Sequence, residues 1–217
     1  CYHGVMDIFR LPKFASYFYA SQGSRIVLFP ATHWTMGDRS HGGNNPLIVF
    51  SNCDEIEVFI GTESQGRFQP DRANYPHLAH PPFHIQTSLA WGQDFDDLRV
   101  VGYQHGEIVA ERILPLDSQP SALQFTADDA EIHADGADMT RLSVMAVDQH
   151  GNRLPYFNSW VEFTVEGDAA QIIGDNPFVL VGGQGAVYLK ATHQAGTVRV
   201  VASSPRLPDA EVVVRIV

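Results

Sequence analysis

The stretch Pro46–Gly66, PLIVFSNCDEIEVFIGTESQG, constrains the fold most. Leu47, Val49 and Ser51 alternate with Ile48 and Phe50, and Ile56, Val58 and Ile60 alternate with Glu57 and Phe59. That period of two is the signature of two half-buried strands. Between them, Asn52-Cys53-Asp54 supplies residues that tolerate left-handed geometry or bond their own backbone. The stretch therefore predicts a hairpin. Asp54 and Glu55 are adjacent, so they point apart on an extended chain and form no acid pair.

The rest of the chain has the same texture. RIVLFP reads as a strand closed by Pro30, Phe83–Trp91 as another, and Leu98–Tyr103 and Glu107–Leu114 as a pair joined at Gln104-His105-Gly106. Ala31–Asn45 and Arg67–Pro82 have loop composition. After a short linker, LQFTA, AEIHA, RLSVMAVDQ, WVEFTVEG, AQIIG, AVYLKAT, TVRVVAS and AEVVVRIV all read as strands separated by turn signals. Regular short strands at this spacing predict sandwiches. Only the start differs. RLPKFASYFYASQG opens with Pro12 at a first helical position and closes with Gly23 at a C′ position. Phe14, Tyr17, Phe18 and Ser21 share one face of the predicted helix, widened by Ala15 and Tyr19. A helix of about ten residues is marginal alone in water, so this face must bury against something. The predicted organisation is mainly β: a helical segment over 1–23, one sandwich over 24–118 and a second over 119–217.

With 44% hydrophobic and 18% charged residues, a packed core is within reach. The formal net charge of -11 argues against a nucleic-acid partner, which needs clustered Lys and Arg. No apolar run reaches the about 18 residues of a membrane span. CYHGVMDIFR lacks the basic and apolar regions of a signal peptide. Cys1 and Cys53 make neither a disulfide framework nor a zinc site and are expected to be reduced and structural.

SNCDEIEVFI resembles a stretch of the immunoglobulin-like domain that follows the catalytic barrel in glycoside hydrolase family 2, the β-galactosidase family. FPATHWTMGDRSHGGNNPLIVF resembles the first strand, His-Trp segment and Gly-rich connection of that domain, and DLRVVGYQHGEIVAERIL resembles its last hairpin. Gly4, Asp7, Pro12, Lys13, Tyr17, Phe18, Tyr19, Ser21 and Gln22 stand where the end of that family's (β/α)8 barrel and its last helix have matching residues. The second half resembles the invasin-type immunoglobulin-like repeat, with its usual longer loop cut to Gly174-Asp175-Asn176-Pro177. The resemblance implies two immunoglobulin-like sandwiches in tandem, preceded by a helix left from the barrel. It implies an accessory segment whose partner is the catalytic barrel of the same enzyme, and a parent that hydrolyses terminal β-galactosides. Retaining glycosidases use two carboxylates about 5 Å apart; in this family both sit on barrel strands that would precede residue 1. The chain alone is then expected to be inactive. A helix face without its barrel is expected to pack on the first sandwich, to self-associate into a homo-oligomer, or to stay mobile. Invasin-like modules imply a periplasmic or extracellular bacterial setting.

The residues themselves offer little other chemistry. Asp94, Asp96 and Asp97, and Asp128, Asp129 and Glu131, lie in runs typical of solvated turns. His77, His80 and His84 fall within eight residues, but the Pro-rich segment gives no helix to align them as metal ligands. Asp128, Asp129, Asp135 and Asp138 lack EF-hand spacing. No nucleophile elbow or phosphate loop occurs, and no cofactor or metal is expected. Sugar binding is the serious alternative, because sugars stack apolar faces on exposed rings while amides and carboxylates take their hydroxyls. Trp34, Tyr75 and Trp91 are the candidate sugar-binding residues. Against that role, Trp34 and Trp91 also suit plugs at the ends of the sandwich and Trp160 suits the second core. The competing functions are thus a carbohydrate-binding module and an adhesin-like surface pair. An adhesin has no reason to carry a barrel's last helix.

Overall fold

The structure, a computed structural model, describes residues 3–34, 46–87 and 96–217. The chain divides into two units, Cys1–Asp117 and Ser118–Val217.

In the first unit, helix α1 (Phe14–Ala20) precedes strands β1 (Leu28–Pro30), β2 (Leu47–Ser51), β3 (Glu55–Ile60), β4 (Glu63–Phe68), β5 (Phe83–Ile85), β6 (Leu98–Gln104) and β7 (Glu107–Leu114). They form two sheets, in the orders β1-β2-β5 and β4-β3-β6-β7. This corrects the expected hairpin over Pro46–Gly66. β2 and β3 do not pair with each other; Asn52-Cys53-Asp54 carries the chain from one sheet to the other. The alternation is as read: Leu47 and Val49 on β2, and Ile56 and Val58 on β3, are fully buried in one core. Both sheets face that core, so a period-two pattern cannot distinguish a hairpin from a crossing between layers. The actual hairpin is β3–β4, where Gly61 adopts φ 58° at the turn.

β4 falls partly in a segment that composition assigned to a loop. Its ESQGRF sequence shows no apolar alternation because the strand lies at the sheet edge and is largely exposed. Its outer side chains are held by charge: Arg67 lies 2.9 Å from Glu55, and its guanidinium sits 4.3 Å above the Tyr103 ring. β6 and β7 pair as predicted, around His105 at φ 53° and Gly106 at φ 84°, the two positive φ values of a tight hairpin turn.

The second unit contains β8 (Ala122–Ala127), β9 (Glu131–Ile132), β10 (Met139–Val147), β11 (Trp160–Glu166), β12 (Ala170–Ile173), β13 (Phe178–Val179), β14 (Gln184–Ala191), β15 (Gly196–Ser203) and β16 (Ala210–Ile216). The sheets run β12-β14-β10-β8 and β13-β11-β15-β16-β9. Alternation is clean: Leu142, Val144 and Ala146 of β10 point inward, as do Val198, Val200 and Ala202 of β15. The two-residue β13 is too short to show a period in the sequence. The shortened loop before it is pinned by Asn176, whose side chain accepts from Phe163 N–H at 2.9 Å and donates to Phe163 C=O at 2.7 Å. Trp160 departs from expectation. Expected in the second core, it instead opens β11, where its backbone pairs with Val179 and its C=O accepts from Ser204 Oγ at 2.7 Å, and it is 44% exposed.

Candidate functional site

β1 and β2 are too apolar on both faces for a one-sided sheet. Phe29 and Phe50 stand opposite each other on the outer face of the β1-β2-β5 sheet, and Ile48 stands opposite His84 beside them. A second layer covers this face. Helix α1 supplies half of it. Tyr17 stacks on Phe29 with ring centroids 3.6 Å apart and planes 3° from parallel, Phe14 meets the same ring edge-on at 5.5 Å, and Phe18 meets Phe50 at 5.7 Å. Ser21, the last residue of the predicted face, is 1% exposed. Of the three fates open to the helix, packing on its own sandwich is the one observed. Tyr19 does not join that face and is 64% exposed. Since a helix of seven residues cannot persist alone, Tyr17→Ala is expected to cost the first unit about 1–2 kcal/mol, from the lost stack and the half-buried ring. Chemical denaturation of the variant beside the wild type checks this.

The loop between β4 and β5 supplies the other half of the layer. Prolines 70, 76, 81 and 82 stiffen it. Gln22, just beyond α1, ties it down reciprocally: its amide donates to His80 C=O at 2.7 Å and accepts from His80 N–H at 3.1 Å. Asp71 organises the interior of the loop. Its carboxylate accepts from Asn74 N–H at 3.1 Å and from the Asn74 amide at 2.8 Å, and lies 2.9 Å from His84 Nδ1. The Asn74 side chain, aided by the Asn74 N–H and by His84, holds the Asp71 carboxyl below the usual carboxylate range. An ionised carboxylate only accepts, so His84 Nδ1 donates to Asp71 and Nε2 lies outside this contact. The Tyr75 ring leans on the imidazole, with centroids 5.6 Å apart and planes at 32°. Tyr75 itself is 39% exposed.

The three sugar-binding candidates thus separate. Tyr75 is surface-accessible and braced. Trp34 is 1% exposed, and its indole N–H donates to Asp96 C=O at 2.8 Å. Its ring belongs to the core cluster with Leu47 and Phe83, which leaves no face for a sugar. Trp91 lies outside the described residues, as does Asp94. Composition did not single out Asp71 and Asn74 as partners of Tyr75. The readable signal was the alternation of Phe83-His84-Ile85, which sends His84 outward while its neighbours are buried.

The acidic runs resolve into turns and strand ends. Asp97 accepts from Leu116 N–H at 2.8 Å, Asp128 pairs with Arg141 at 3.1 Å, Asp129 bonds Thr140, and Glu131 pairs with Arg215. Asp135 accepts from the N–H groups of Ala137 and Asp138 at 2.8 and 2.7 Å. Among the described residues no three His, Cys, Asp or Glu side chains converge into a metal-holding group. His77 is exposed and His80 contributes its backbone to the Gln22 clasp.

Comparison with known proteins places this architecture. The sequence model of glycoside hydrolase family 2 C-terminal domain 5 matches residues 123–213, and a domain of unknown function, DUF4982, matches residues 42–110. A β-galactosidase of Thermoanaerobacter pseudethanolicus is 40% identical over 215 residues, which cover 94% of this chain and 28% of that protein. A β-galactosidase sequence of Rhizobium radiobacter is 38% identical over 106 residues, covering 49% of this chain and 76% of that sequence. In fold, the chain is similar to part of a β-glycosidase from Bacteroides vulgatus, with a TM-score of 0.68 at 19% identity over 98% of this chain and 28% of that one. The chain therefore spans between 16% and 28% of the relatives it matches along most of its own length. With its helix, its two β units and these matches, the chain belongs to glycoside hydrolase family 2, of which it carries the C-terminal part.

Proposed function

We propose that this chain is the non-catalytic C-terminal segment of an enzyme that hydrolyses terminal β-galactosides, and that its two units brace the catalytic barrel and set its geometry. The observation that carries the reading is the 40% identity to a β-galactosidase along 94% of the chain. A retaining glycosidase needs two carboxylates about 5 Å apart in one site. The catalytic pair belongs to the part of the enzyme outside these residues. The invasin-like wording of the second unit supports an exported, periplasmic or extracellular setting.

The test is a chromogenic hydrolysis assay on two samples. The 217-residue chain is expected to show no turnover. The complete enzyme is expected to cleave a β-galactoside faster than the matching β-glucuronide by orders of magnitude, because a site built to bond one substituent rejects another strongly. Turnover by the chain that survives repurification, or a complete enzyme that prefers the glucuronide, overturns the reading.

A further inference from the structure

We infer that Tyr75, His84 and Asn74 form a carbohydrate-binding subsite on the outer face of the first unit, in which one pyranose ring lies against Tyr75. Three features carry this. The Tyr75 ring is exposed although an apolar ring gains by burial, and it is fixed in place rather than free: Tyr75 N–H donates to Asp71 C=O at 3.1 Å, Leu78 N–H donates to Tyr75 C=O at 3.3 Å, and the ring rests on His84. The polar groups around it are held in place. Asp71 accepts from His84 Nδ1, from the Asn74 backbone N–H and from one N–H of the Asn74 amide, leaving the imidazole Nε2, the Asn74 carbonyl oxygen with its second amide N–H, and the Tyr75 hydroxyl as the groups that remain for a ligand. The loop that holds them is clasped to the helical layer through Gln22, so little conformational entropy is left to lose on binding.

The chemistry of these groups selects the ligand. A flat apolar face beside an imidazole nitrogen, a side-chain amide and a hydroxyl suits a molecule with one C–H face and an edge of hydroxyl groups. The Asp71 carboxylate, 2.9 Å from the imidazole, opposes anions and so disfavours phosphates and uronates there. A neutral pyranose meets both conditions. The identification as a sugar rests on this geometry; the choice of galactosides as first probes rests on the proposed activity of the parent enzyme.

The experiment is a titration of the 217-residue chain, followed by NMR, with lactose, a longer β-galactoside, cellobiose and xylobiose in parallel. Saturable millimolar binding that shifts the His84 ring protons is expected. Tyr75→Ala should weaken it by at least about tenfold, and Tyr75→Phe, which keeps the ring, by no more than about threefold. The amide spectrum of the second unit serves as the control for folding. Binding of cellobiose or xylobiose in preference to galactosides, still lost in Tyr75→Ala, upholds the subsite while counting against the galactoside reading of the parent. Absence of saturable shifts with every sugar, or binding that Tyr75→Ala leaves unchanged, overturns the subsite and leaves the parent's activity untouched.

Discussion

Asn52→Ala is expected to destabilise the first unit by about 3 kcal/mol, lowering its melting temperature by roughly 10 °C or more. Asn52 is 3% exposed. Its Oδ1 accepts from Val27 N–H at 2.9 Å, and its Nδ2 donates to Gly23 C=O at 3.0 Å and Arg25 C=O at 2.7 Å. The segment from Gly23 to Val27 joins α1 to β1 and has no ladder partner of its own. One side chain therefore supplies the hydrogen bonds that a neighbouring strand would otherwise give it. Ser51 adds to the clasp, donating from Oγ to Val27 C=O at 2.6 Å. Each bond is worth about 1 kcal/mol net, and a donor or acceptor left buried without a partner costs more. Asn52→Asp separates this account from a simple volume effect. Aspartate has nearly the same shape and keeps the acceptor, but it loses both donors and turns a charge toward two carbonyl oxygens. It should fall at least as far as alanine. Urea unfolding of the three proteins decides it; an aspartate variant within about 0.5 kcal/mol of wild type would sink the explanation.

The same residues show why part of the fold was legible and part was not. Burial leaves a mark on each strand separately, so the strands around Leu47, Ile56, Leu142 and Val198 could be placed from their period alone. Pairing leaves no such mark. Asn52-Cys53-Asp54 looks like a turn because Asn and Asp suit turns, but it crosses between sheets because the Asn52 side chain is committed to residues 25 to 29 positions away. A local rule cannot see a partner at that distance. β4 was hidden for a related reason: an edge strand laced by Arg67, Glu55 and Glu57 needs no apolar period.

The candidate site was legible one residue at a time. Tyr75 and His84 were each visible as an aromatic and an imidazole in a Pro-rich loop. What joins them is Asp71, whose role depends on a contact across 13 positions. Of the two readings open to Trp34, a surface platform and a plug of the sandwich, its burial matches the plug, whereas Trp160, expected in the second core, is exposed. Trp34 lies in the irregular chain after β1 and Trp160 at the first residue of β11, where no strand period fixes the side chain's direction.

Gly102→Ala is expected to cost the first unit about 2 kcal/mol, and adding Cys53→Ala is expected to cost little further, because each change relieves the other. A Cβ on Gly102 would meet Cys53 Sγ at 2.6 Å, about 1 Å inside ordinary contact, with Leu28 Cδ2 at 3.4 Å behind it. Cys53 is 2% exposed and sits in the core cluster with Ile56 and Val58, so it has no room to withdraw. Overpacking of this size costs about 1–3 kcal/mol, and the entropy gained by replacing glycine offsets only part of it. The glycine of VVGY and the cysteine of SNCD are thus one packing unit, separated by 49 positions in the chain and filling a single space. Burial pushes the Cys53 thiol up, partly countered by the hydrogen bond with Ser51, so the sulfur acts here as a small apolar group rather than a nucleophile. Cys53→Ala alone should cost about 1–2 kcal/mol for the lost contacts. In the double variant the new methyl group at position 102 occupies the space the sulfur vacates, and the two costs should fall short of their sum by about 1.5 kcal/mol, within the range of residues in direct contact. A double-mutant cycle measured by denaturation tests this directly. Additive costs would mean that the sheet absorbs the methyl group elsewhere, by movement of β6 at its irregular step between Gly102 and Tyr103.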